Sequence, residues 1–320
     1  MSRTRLVCLA LIGLLPPSAA VGSALTEIEP NDTVAAAQAL PGSALPVGAL
    51  EGRLGPDGTA SGIDFFSFPV SAPFPLVTAS LWDYTPDAAD NDSVLGVFSS
   101  FGFLTEFDND NNPGLLSSIH FYPSTDGQWA VAATGEGDFF FEGQGHSEQF
   151  DYRLVVSTGA TALEQGSNDT LATAQAIPAS AFNHGAASVE GSLGPDSTAD
   201  GIDFYSIQAA AGTLVTASVF DFTPFPEDDT DGLLAVYGPD GSLLGYDDVD
   251  GVDFLPAIHF IAPQTGTYTF ALTGYGDWDF DGVGHPEAFD YRLVVSVPEP
   301  GTFLLLLPLG LAMARSHRRR

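Results

Sequence analysis

Three aspartates on alternate positions, Asp277, Asp279 and Asp281, precede Gly282 near the C-terminal end of the chain. Carboxylates spaced in this way are typical of a turn folded around one hard cation, with glycine permitting the sharp bend. The loop is not an EF-hand, because its twelfth position is Ala288 instead of glutamate. The pattern predicts calcium ligands at these three aspartates, although Asp also favours turns that hold no metal.

Two further acidic stretches repeat the same kind of chemistry. Asp138 and Glu142 occupy the positions of the first and third aspartate in an earlier copy of the loop, where Phe140 replaces the middle ligand. The segment DNDNN at 108–112 corresponds to DDVDG at 247–251. Both stretches are candidate cation sites, and both also have the composition of ordinary turns.

Histidines recur with equal spacing in the two halves of the chain. His120 and His146 are separated by the same interval as His259 and His285. A zinc pair would use such residues. Duplication of an ancestral segment explains the spacing without any metal, so we favour hydrogen-bonded histidines in or beside strands. Arg153 is likewise expected to pair with a neighbouring carboxylate.

The body of the chain consists of two similar copies of one sequence. EIEPNDTVAAAQAL at 27–40 recurs as EQGSNDTLATAQAI at 164–177, and the FDYRLVVS that ends at 157 recurs ending at 296. The offset of about 138 residues is too long for a solenoid repeat and indicates two homologous domains. The predicted segments are a signal peptide at 1–24, domains at 25–157 and 164–296, a linker at 158–163 and a C-terminal signal at 297–320.

Short segments of alternating apolar and polar residues dominate each copy. TYTFALT at 267–273 and QWAVAAT at 128–134 have the period of half-buried strands, and turn residues such as GPDG at 238–241 separate them. The pattern predicts an all-β protein with one β-sandwich per copy. The alanine-rich segments that follow Asn-Asp-Thr predict one short helix or turn per domain.

The opening E-x-E-x-N-D segment, the GxLGPD and GIDFFSF stretch at 52–68 and the closing YxLxV strand resemble the bacterial pre-peptidase C-terminal domain. The resemblance covers nearly all of 25–296, twice. It implies two tandem jelly-roll-like β-sandwich domains that act as accessory modules. Some relatives in that family bind matrix polymers such as collagen.

The resemblance also implies a calcium site at the start of each domain. The ligands implied in the first domain are Glu27, Glu29, Asn31, Asp32 and Asp64, with Ser61 at a position where the family has aspartate. Those implied in the second domain are Glu164, Asn168, Asp169, Asp200 and Asp203, with Gly166 in place of Glu29. The alternative is that the Asn-Asp pairs only cap a helix and the acids are solvated.

The first 24 residues have the layout of a secretory signal peptide. Arg3 and Arg5 precede an apolar run at 6–15 and small residues up to Ala24. The single cysteine, Cys8, lies in this run, so removal of the peptide leaves a chain without disulfides. An exported protein of this kind needs another source of stability, and bound metal is a common one.

The C-terminal end combines Val-Pro-Glu-Pro, an apolar run at 302–314 and a tip with four arginines. A helix of this length reaches about 20 Å, which is short for a membrane span, so we expect transient membrane insertion or a short anchor. The three-part pattern around Pro298, Glu299 and Pro300 resembles the PEP-CTERM sorting signal. This resemblance implies processing by an exosortase-type enzyme at the cell envelope or exopolysaccharide matrix of a Gram-negative bacterium.

The charge of the chain excludes nucleic acid as a partner. Every basic residue is an arginine, and residues 25–297 hold three of them against 40 carboxylates, a net charge of −37. Nucleic-acid binders gain affinity by neutralising phosphates with Lys and Arg, which this body lacks. Divalent cations are the expected partners of such a surface.

Nothing in the sequence supports catalysis. HExxH, GxSxG and glycine-rich phosphate motifs are absent, and so is lysine. We therefore expect a non-enzymatic, calcium-stabilised surface or matrix protein that binds an extracellular polysaccharide or a matrix protein. Exposed Trp82 or Trp278 would suit stacking on sugar rings. The alternatives are a secreted hydrolase of matrix polysaccharide that uses paired carboxylates, and a surface-layer component that associates with itself.

Overall fold

Strands dominate the chain, as the alternating segments predict. A computed structural model describes residues 23–56, 59, 62–84, 91–195, 201–221, 230–249, 251–252 and 255–297. The predicted sorting residues Pro298, Glu299 and Pro300 lie outside the described residues, as does the predicted ligand Asp200. Within the described part of the chain, no helix has the length and apolar character needed to span a bilayer.

Each repeat forms ten strands in corresponding order. Those of the first domain are β1 (Leu25–Thr26), β2 (Gln38–Ala39), β3 (Val47–Leu54), β4 (Ile63–Val70), β5 (Val77–Asp83), β6 (Ser93–Phe98), β7 (Leu104–Asp108), β8 (Ser118–Phe121), β9 (Gly127–Gly135) and β10 (Phe150–Ser157). Those of the second are β11 (Ala162–Leu163), β12 (Gln175–Ala176), β13 (Ala186–Leu193), β14 (Ile202–Ala209), β15 (Leu214–Asp221), β16 (Gly232–Tyr237), β17 (Leu243–Asp247), β18 (Ala257–Ile261), β19 (Gly266–Gly274) and β20 (Phe289–Ser296).

The strands of each domain form two five-stranded sheets. In the first domain an inner sheet has the order β1-β3-β10-β5-β8, and an outer sheet has the order β2-β4-β9-β6-β7. The second domain repeats both, as β11-β13-β20-β15-β18 and β12-β14-β19-β16-β17. Consecutive strands alternate between the two sheets, except at the β6–β7 and β16–β17 hairpins, and the resulting order is that of a double-sheet jelly roll. The prediction of an all-β chain with two sandwiches is confirmed.

Each sandwich closes around its own apolar core. In the first domain Leu50 and Leu154 of the inner sheet pack with Phe66 and Val131 of the outer sheet. Side chains alternate across a strand, so residues at every second position face this core and the rest face outward. Burial of the core fixes the register, because a slip of one residue would turn the apolar set toward solvent.

One face of each inner sheet lines the core of its own domain. The opposite faces of the two inner sheets pack against each other, and this contact joins the domains. Their shared apolar cluster consists of Val47, Ala49, Leu76, Trp82 and Val155 from the first domain and Ala186, Phe220, Val252, Ala257 and Val294 from the second. Every residue of β5 and β15 is buried as a result. The molecule is therefore four sheets deep. Trp82 is 1% exposed in this interface, so of its two possible roles the structure shows strand packing and not sugar stacking.

Two buried arginines cross the interface in opposite directions. Arg153 donates through Nη1 to the carbonyl of Leu214 (3.1 Å), and Arg292 donates through Nη1 to the carbonyl of Leu76 (2.8 Å). Leu76 and Leu214 are equivalent positions of the repeat, so the two contacts are related by the pseudo-two-fold symmetry of the pair. Two of the three arginines of the body thus join the domains.

The carboxylate partners of these arginines differ in detail. Arg292 Nη2 lies 2.6 Å from Glu190 Oε1, a direct ion pair. Arg153 Nη2 instead donates to the hydroxyl of Tyr84 (2.6 Å), which bonds to Glu51, and the Arg153–Glu51 distance is 3.6 Å. The expectation that these arginines pair with nearby carboxylates is confirmed.

The short helical turn and the linker also follow the sequence closely. A 3₁₀ helix at Val34–Ala36 begins with Thr33, whose hydroxyl accepts the Ala36 N–H (3.2 Å), and the second domain has a turn at 171–173. The predicted linker at 158–163 is shorter than expected. Its last two residues form β11, which pairs with β13 in the second domain as β1 pairs with β3 in the first.

Candidate metal centre

The segment that follows β1 lies against the start of β4. The N–H of Glu27 donates to the carbonyl of Glu51 in β3 (2.9 Å), which continues the parallel pairing of β1. Four residues later, the carbonyl of Asn31 accepts the N–H of Phe65 (3.0 Å). These two backbone anchors bring the acidic opening segment beside Asp64, the second residue of β4.

Four oxygen-bearing side chains converge at this corner. Carboxylate oxygens of Glu27, Glu29 and Asp64 all lie within 4.8 Å of one another. The side-chain amide of Asn31 lies 2.9 Å from Glu29 Oε2 and 3.2 Å from Asp64 Oδ1, and it donates to both carboxylates when its nitrogen faces them. Asn31 and Asp64 are fully buried. An all-oxygen donor set of this kind suits Ca²⁺, which takes six to eight oxygen ligands.

The orientation of the Asn31 amide distinguishes two states of the corner. With its oxygen facing Glu29 and Asp64, the amide adds a ligand to a cation site. Turned by 180°, the same amide would donate hydrogen bonds to those two carboxylates. The first orientation is stable only with a cation between the oxygens, because facing acceptors repel each other.

The surrounding contacts hold the ligands in position. Glu27 Oε2 accepts the N–H of Arg53 (2.9 Å), and the hydroxyl of Tyr152 in β10 donates to Asp64 Oδ2 (2.9 Å). Gly52 lies beneath both contacts. A Cβ at this position would be 2.5 Å from the Tyr152 hydroxyl and 2.8 Å from Glu27 Oε2, so only glycine leaves room for the two side chains.

Burial makes the ionised form of Asp64 costly. Desolvation, together with the hydrogen bond and negative charge of Glu27, raises the pKa of this carboxyl to about 10, against the lowering effect of Tyr152. The carboxyl is therefore protonated at neutral pH when no cation is bound. Because a metal would bind the carboxylate form, metal uptake at this corner would release a proton.

Of the five ligands implied in the first domain, the structure brings four together. Asp32 is not part of the group within 4.8 Å. Its Oδ1 is buried without a hydrogen-bond partner among the described residues. Ser61, at the position where the family has aspartate, lies outside the described residues.

The corresponding corner of the second domain keeps the backbone frame. Glu164 Oε2 accepts the N–H of Ser192 (3.0 Å), and the carbonyl of Asn168 accepts the N–H of Phe204 (2.9 Å). Tyr291 donates to Asp203 Oδ2 (2.8 Å), as Tyr152 does to Asp64.

This second corner has fewer candidate oxygen ligands. Gly166 stands where the first domain has Glu29, and Asp169, like Asp32, is only partly buried. The described residues of the second domain contain no group of three carboxylates within 4.8 Å of one another. Tyr205, whose counterpart is Phe66, bonds through its hydroxyl to that of Tyr291, and burial raises the pKa of both tyrosines.

The aspartate loop at 277–282 is organised by its first carboxylate. Asp277, 1% exposed, accepts the hydroxyl of Thr273 (2.9 Å) and the N–H groups of Asp281 (3.1 Å) and Gly282 (2.8 Å). Asp279 and Asp281 are exposed, and the three carboxylates do not form a group within 4.8 Å. This geometry supports a loop anchor instead of a ligand set.

The matching loop of the first domain is built in the same way. Asp138, 2% exposed, accepts the hydroxyl of Thr134 (3.0 Å) and the N–H groups of Glu142 (2.9 Å) and Gly143 (2.8 Å). In the other acidic stretch, Asp108 accepts the N–H groups of Asn111 (3.1 Å) and Ser118 (3.0 Å). These aspartates stabilise turns through backbone donors.

The histidines lie in separate environments. His146 and His285 are buried, and their Nε2 atoms bond to the carbonyls of Gly62 (2.7 Å) and Gly201 (2.8 Å). His120 and His259 lie in β8 and β18, opposite threonines of β5 and β15. No histidine belongs to a group of three potential metal ligands in the described part of the chain. The geometry favours structural histidines over a zinc pair.

The sequence did not indicate one further acidic group in each domain. Burial and the charges of Glu136, Asp110 and Glu148 together raise the pKa of Asp92 to about 6. Burial and neighbouring acidic charges likewise raise the pKa of Asp231 to about 6 in the second domain. The available signal was their repetition at equivalent positions, but acids are too common in this chain for repetition alone to mark them.

Comparisons with known proteins reach the fold only. No family model matches the chain, and no curated protein matches it. Part of it is similar to the pre-peptidase C-terminal domain of a collagenase from Bacillus anthracis, with 18% identity over 34% of this chain and 87% of that domain and a TM-score of 0.25. This neighbour agrees with the resemblance seen in the sequence; it does not bear on the C-terminal segment.

Two other solved structures are comparably distant. PliG of Aeromonas hydrophila, a periplasmic inhibitor of g-type lysozyme, shares 19% identity over 35% of this chain and 85% of its own, with a TM-score of 0.26. CorA of Methylomicrobium album BG8, a surface-associated copper-binding protein, shares 12% identity over 39% of this chain and 98% of its own, with a TM-score of 0.29. Likenesses this weak carry no argument about ligand or activity.

Proposed function

We propose that this chain is an exported, non-catalytic protein of the cell surface or extracellular matrix, stabilised by calcium at the corner formed by Glu27, Glu29, Asn31 and Asp64. The observation that carries the proposal is the convergence of three carboxylates and the Asn31 amide in a strongly acidic chain that contains no lysine. The signal-like segments at both ends of the sequence support export and exosortase-type processing in a Gram-negative envelope.

The described arginines are engaged elsewhere, which supports a cation from solution as the counter-charge. Arg153 and Arg292 lie in the domain interface, and the Arg53 guanidinium lies 3.7 Å from Asp151. A divalent cation would offset the mutual repulsion of the three carboxylates and the cost of ionising buried Asp64. It would also tie the opening segment to β4.

Calcium at this corner would stabilise the fold by mass action. Extracellular calcium modules have Kd values of roughly 0.1 to 1 mM. A hundredfold excess over Kd adds about 2.7 kcal/mol for one site. In a chain with no disulfide after signal removal, that is a substantial part of the 5–15 kcal/mol typical of a folded domain.

The proposal is tested by thermal melting of the exported protein in calcium and in chelator. We expect a clearly higher Tm in millimolar calcium, and calorimetric titration should show metal uptake with proton release. Identical melting curves in the two conditions would overturn the calcium part of the proposal. Mass spectrometry of the exported protein tests the sorting part: we expect a C-terminus near 298–301, and an intact arginine tip would exclude processing there.

A further inference from the structure

An exposed group of aromatic rings lies on the second domain, on the outer sheet. Trp278 is 47% exposed, and Tyr246 and Tyr275 are 56% and 44% exposed. The Trp278 ring contacts both tyrosines, with centroid distances of 5.8 Å to Tyr246 and 5.3 Å to Tyr275. We call Tyr246, Trp278 and Tyr275 the aromatic platform. The Tyr246 ring also packs against the buried ring of Phe280, with a centroid distance of 6.5 Å. This contact holds the platform against the sheet.

The equivalent positions of the first domain show which side chains are sufficient for packing at this place in the scaffold. Phe107 takes the place of Tyr246 and Phe139 that of Trp278, and these two rings also contact each other, at 5.9 Å. Glu136 replaces Tyr275. Phenylalanine therefore satisfies the packing between the edge strand and the loop in this scaffold.

The platform of the second domain carries polar groups that the equivalent residues of the first domain lack. Relative to the first domain it gains two phenolic hydroxyls and an indole N–H, and exposed Asp279 replaces Phe140. Packing does not require these groups, since the first domain does without them. Tyr and Trp combine a large apolar face with a polar tip, the combination that favours them in binding surfaces.

A cleft next to the platform offers a concave surface. Its volume is about 260 Å³, and it is lined by Tyr246, Asp247, Leu244, Ile258 and His259 of the second domain, with Pro113 of the first at its rim. Tyr246 belongs to both the cleft and the platform. Concave surfaces that combine apolar walls with a few polar groups are typical of small-ligand sites.

We propose that the aromatic platform and this cleft bind an uncharged oligosaccharide, so that the second domain attaches the protein to a neutral glycan. The apolar faces of sugar rings would stack on Trp278 and Tyr246, and the hydroxyl, indole and carboxylate groups would bond to sugar hydroxyls. Polyanionic glycans are disfavoured, because residues 25–297, the two domains together, carry 40 carboxylates against three arginines. This inference rests on the proposed function as a surface or matrix protein.

The test uses the exported protein and calorimetric titration with a neutral glucan hexasaccharide, an oligogalacturonate and tetramethylammonium chloride. We expect binding of the neutral hexasaccharide only. Trp278 is the exposed tryptophan of the three, since Trp82 and Trp129 are buried, so the hexasaccharide should also protect fluorescence from acrylamide quenching. The variant that carries Tyr246→Phe, Trp278→Phe and Tyr275→Glu gives the platform the residues of the first domain. We expect it to lose at least tenfold in affinity.

A matched control is Phe140→Asp in the first domain, where the side chain is 84% exposed; it should leave both affinity and Tm unchanged. Equal affinity of the triple variant, or binding of oligogalacturonate or tetramethylammonium in place of the hexasaccharide, would overturn the inference. Melting in calcium and chelator is measured on the same samples. A retained calcium shift without glycan binding rejects only this inference, whereas glycan binding without a calcium shift rejects the calcium-stabilised function.

Discussion

The corner that gathers Glu27, Glu29 and Asp64 in the first domain has a counterpart in the second domain in which Gly166 replaces Glu29. The aromatic group on the outer sheet shows the opposite difference, since the second domain carries Tyr and Trp where the first carries Phe. One copy therefore has the richer cation corner, and the other has the richer aromatic surface. The two copies of one scaffold therefore differ in opposite directions at these two places.

Residues that are the same in both copies mostly serve the fold. The tyrosine to aspartate bonds, the loop anchors Asp138 and Asp277, the buried histidines and the crossing arginines all recur with similar geometry. These repeated contacts therefore belong to the scaffold that both copies share. The divergent positions are the better guide to what each domain does.

The largest expected effect concerns the crossing arginines. Replacing Arg153 or Arg292 by Met should lower the free energy of unfolding by about 3–5 kcal/mol, because each change leaves buried hydrogen-bond partners unsatisfied. Denaturant unfolding measures the loss. If the pseudo-symmetric contacts are equivalent, the two losses agree within about 1 kcal/mol. A loss below 1 kcal/mol for either variant would show that its interface contact does not stabilise the pair.

Exchanging the ligand that differs between the two corners tests the cation comparison directly. Glu29→Gly gives the first corner the residue of the second and should remove the calcium-dependent stabilisation of about 2.7 kcal/mol at a hundredfold excess over Kd. Gly166→Glu should add calcium uptake in the second domain, since a Cβ at Gly166 meets nothing within 4 Å. Calorimetric stoichiometry checks both variants. Unchanged stoichiometry in both would place calcium elsewhere.

The raised pKa of Asp64 predicts how metal-free stability depends on pH. In the unfolded chain this carboxyl ionises near pH 4, whereas in the folded protein its pKa is about 10. The folded state therefore holds one more proton between these values, and this group makes stability fall by about 1.4 kcal/mol per pH unit as pH rises. In chelator, Asp64→Asn should flatten the slope by that amount between pH 6 and 7, and saturating calcium should flatten it in the native chain. Parallel slopes for both proteins would contradict the assigned pKa.

The smallest effect is expected at the loop anchors. Asp138→Asn and Asp277→Asn each weaken one of three hydrogen bonds to a buried carboxylate, so each should cost about 1–2 kcal/mol in chelator and in calcium alike. Matched melts in the two conditions measure this. A loss confined to calcium for Asp277→Asn would show that the aspartate loop at 277–282 binds metal after all.

The sequence was sufficient for the scaffold because its signals are local and repeated. The strand segments at 128–134 and 267–273 fall inside β9 and β19, since a period of two over seven residues has one stable placement on a half-buried sheet. Four of the five ligands implied in the first domain also come together. The aspartate loop was less predictable, because the same spacing serves a metal ligand set and a self-bonded turn, and only the contacts of Asp277 separate them.

The amino-acid sequence by itself determined the duplication, the all-β class, the acidic charge and the set of candidate oxygen ligands, because each is written in composition or in short-range pattern. The tertiary structure decided which of those oxygens meet, that Trp82 is buried while Trp278 is exposed, and that the two domains share an apolar interface. These outcomes depend on contacts between distant residues, such as Asp64 with Tyr152, 88 positions apart, and Leu76 with Arg292, 216 positions apart. Local pattern carries no record of such pairings, since they are set only when whole sheets pack together.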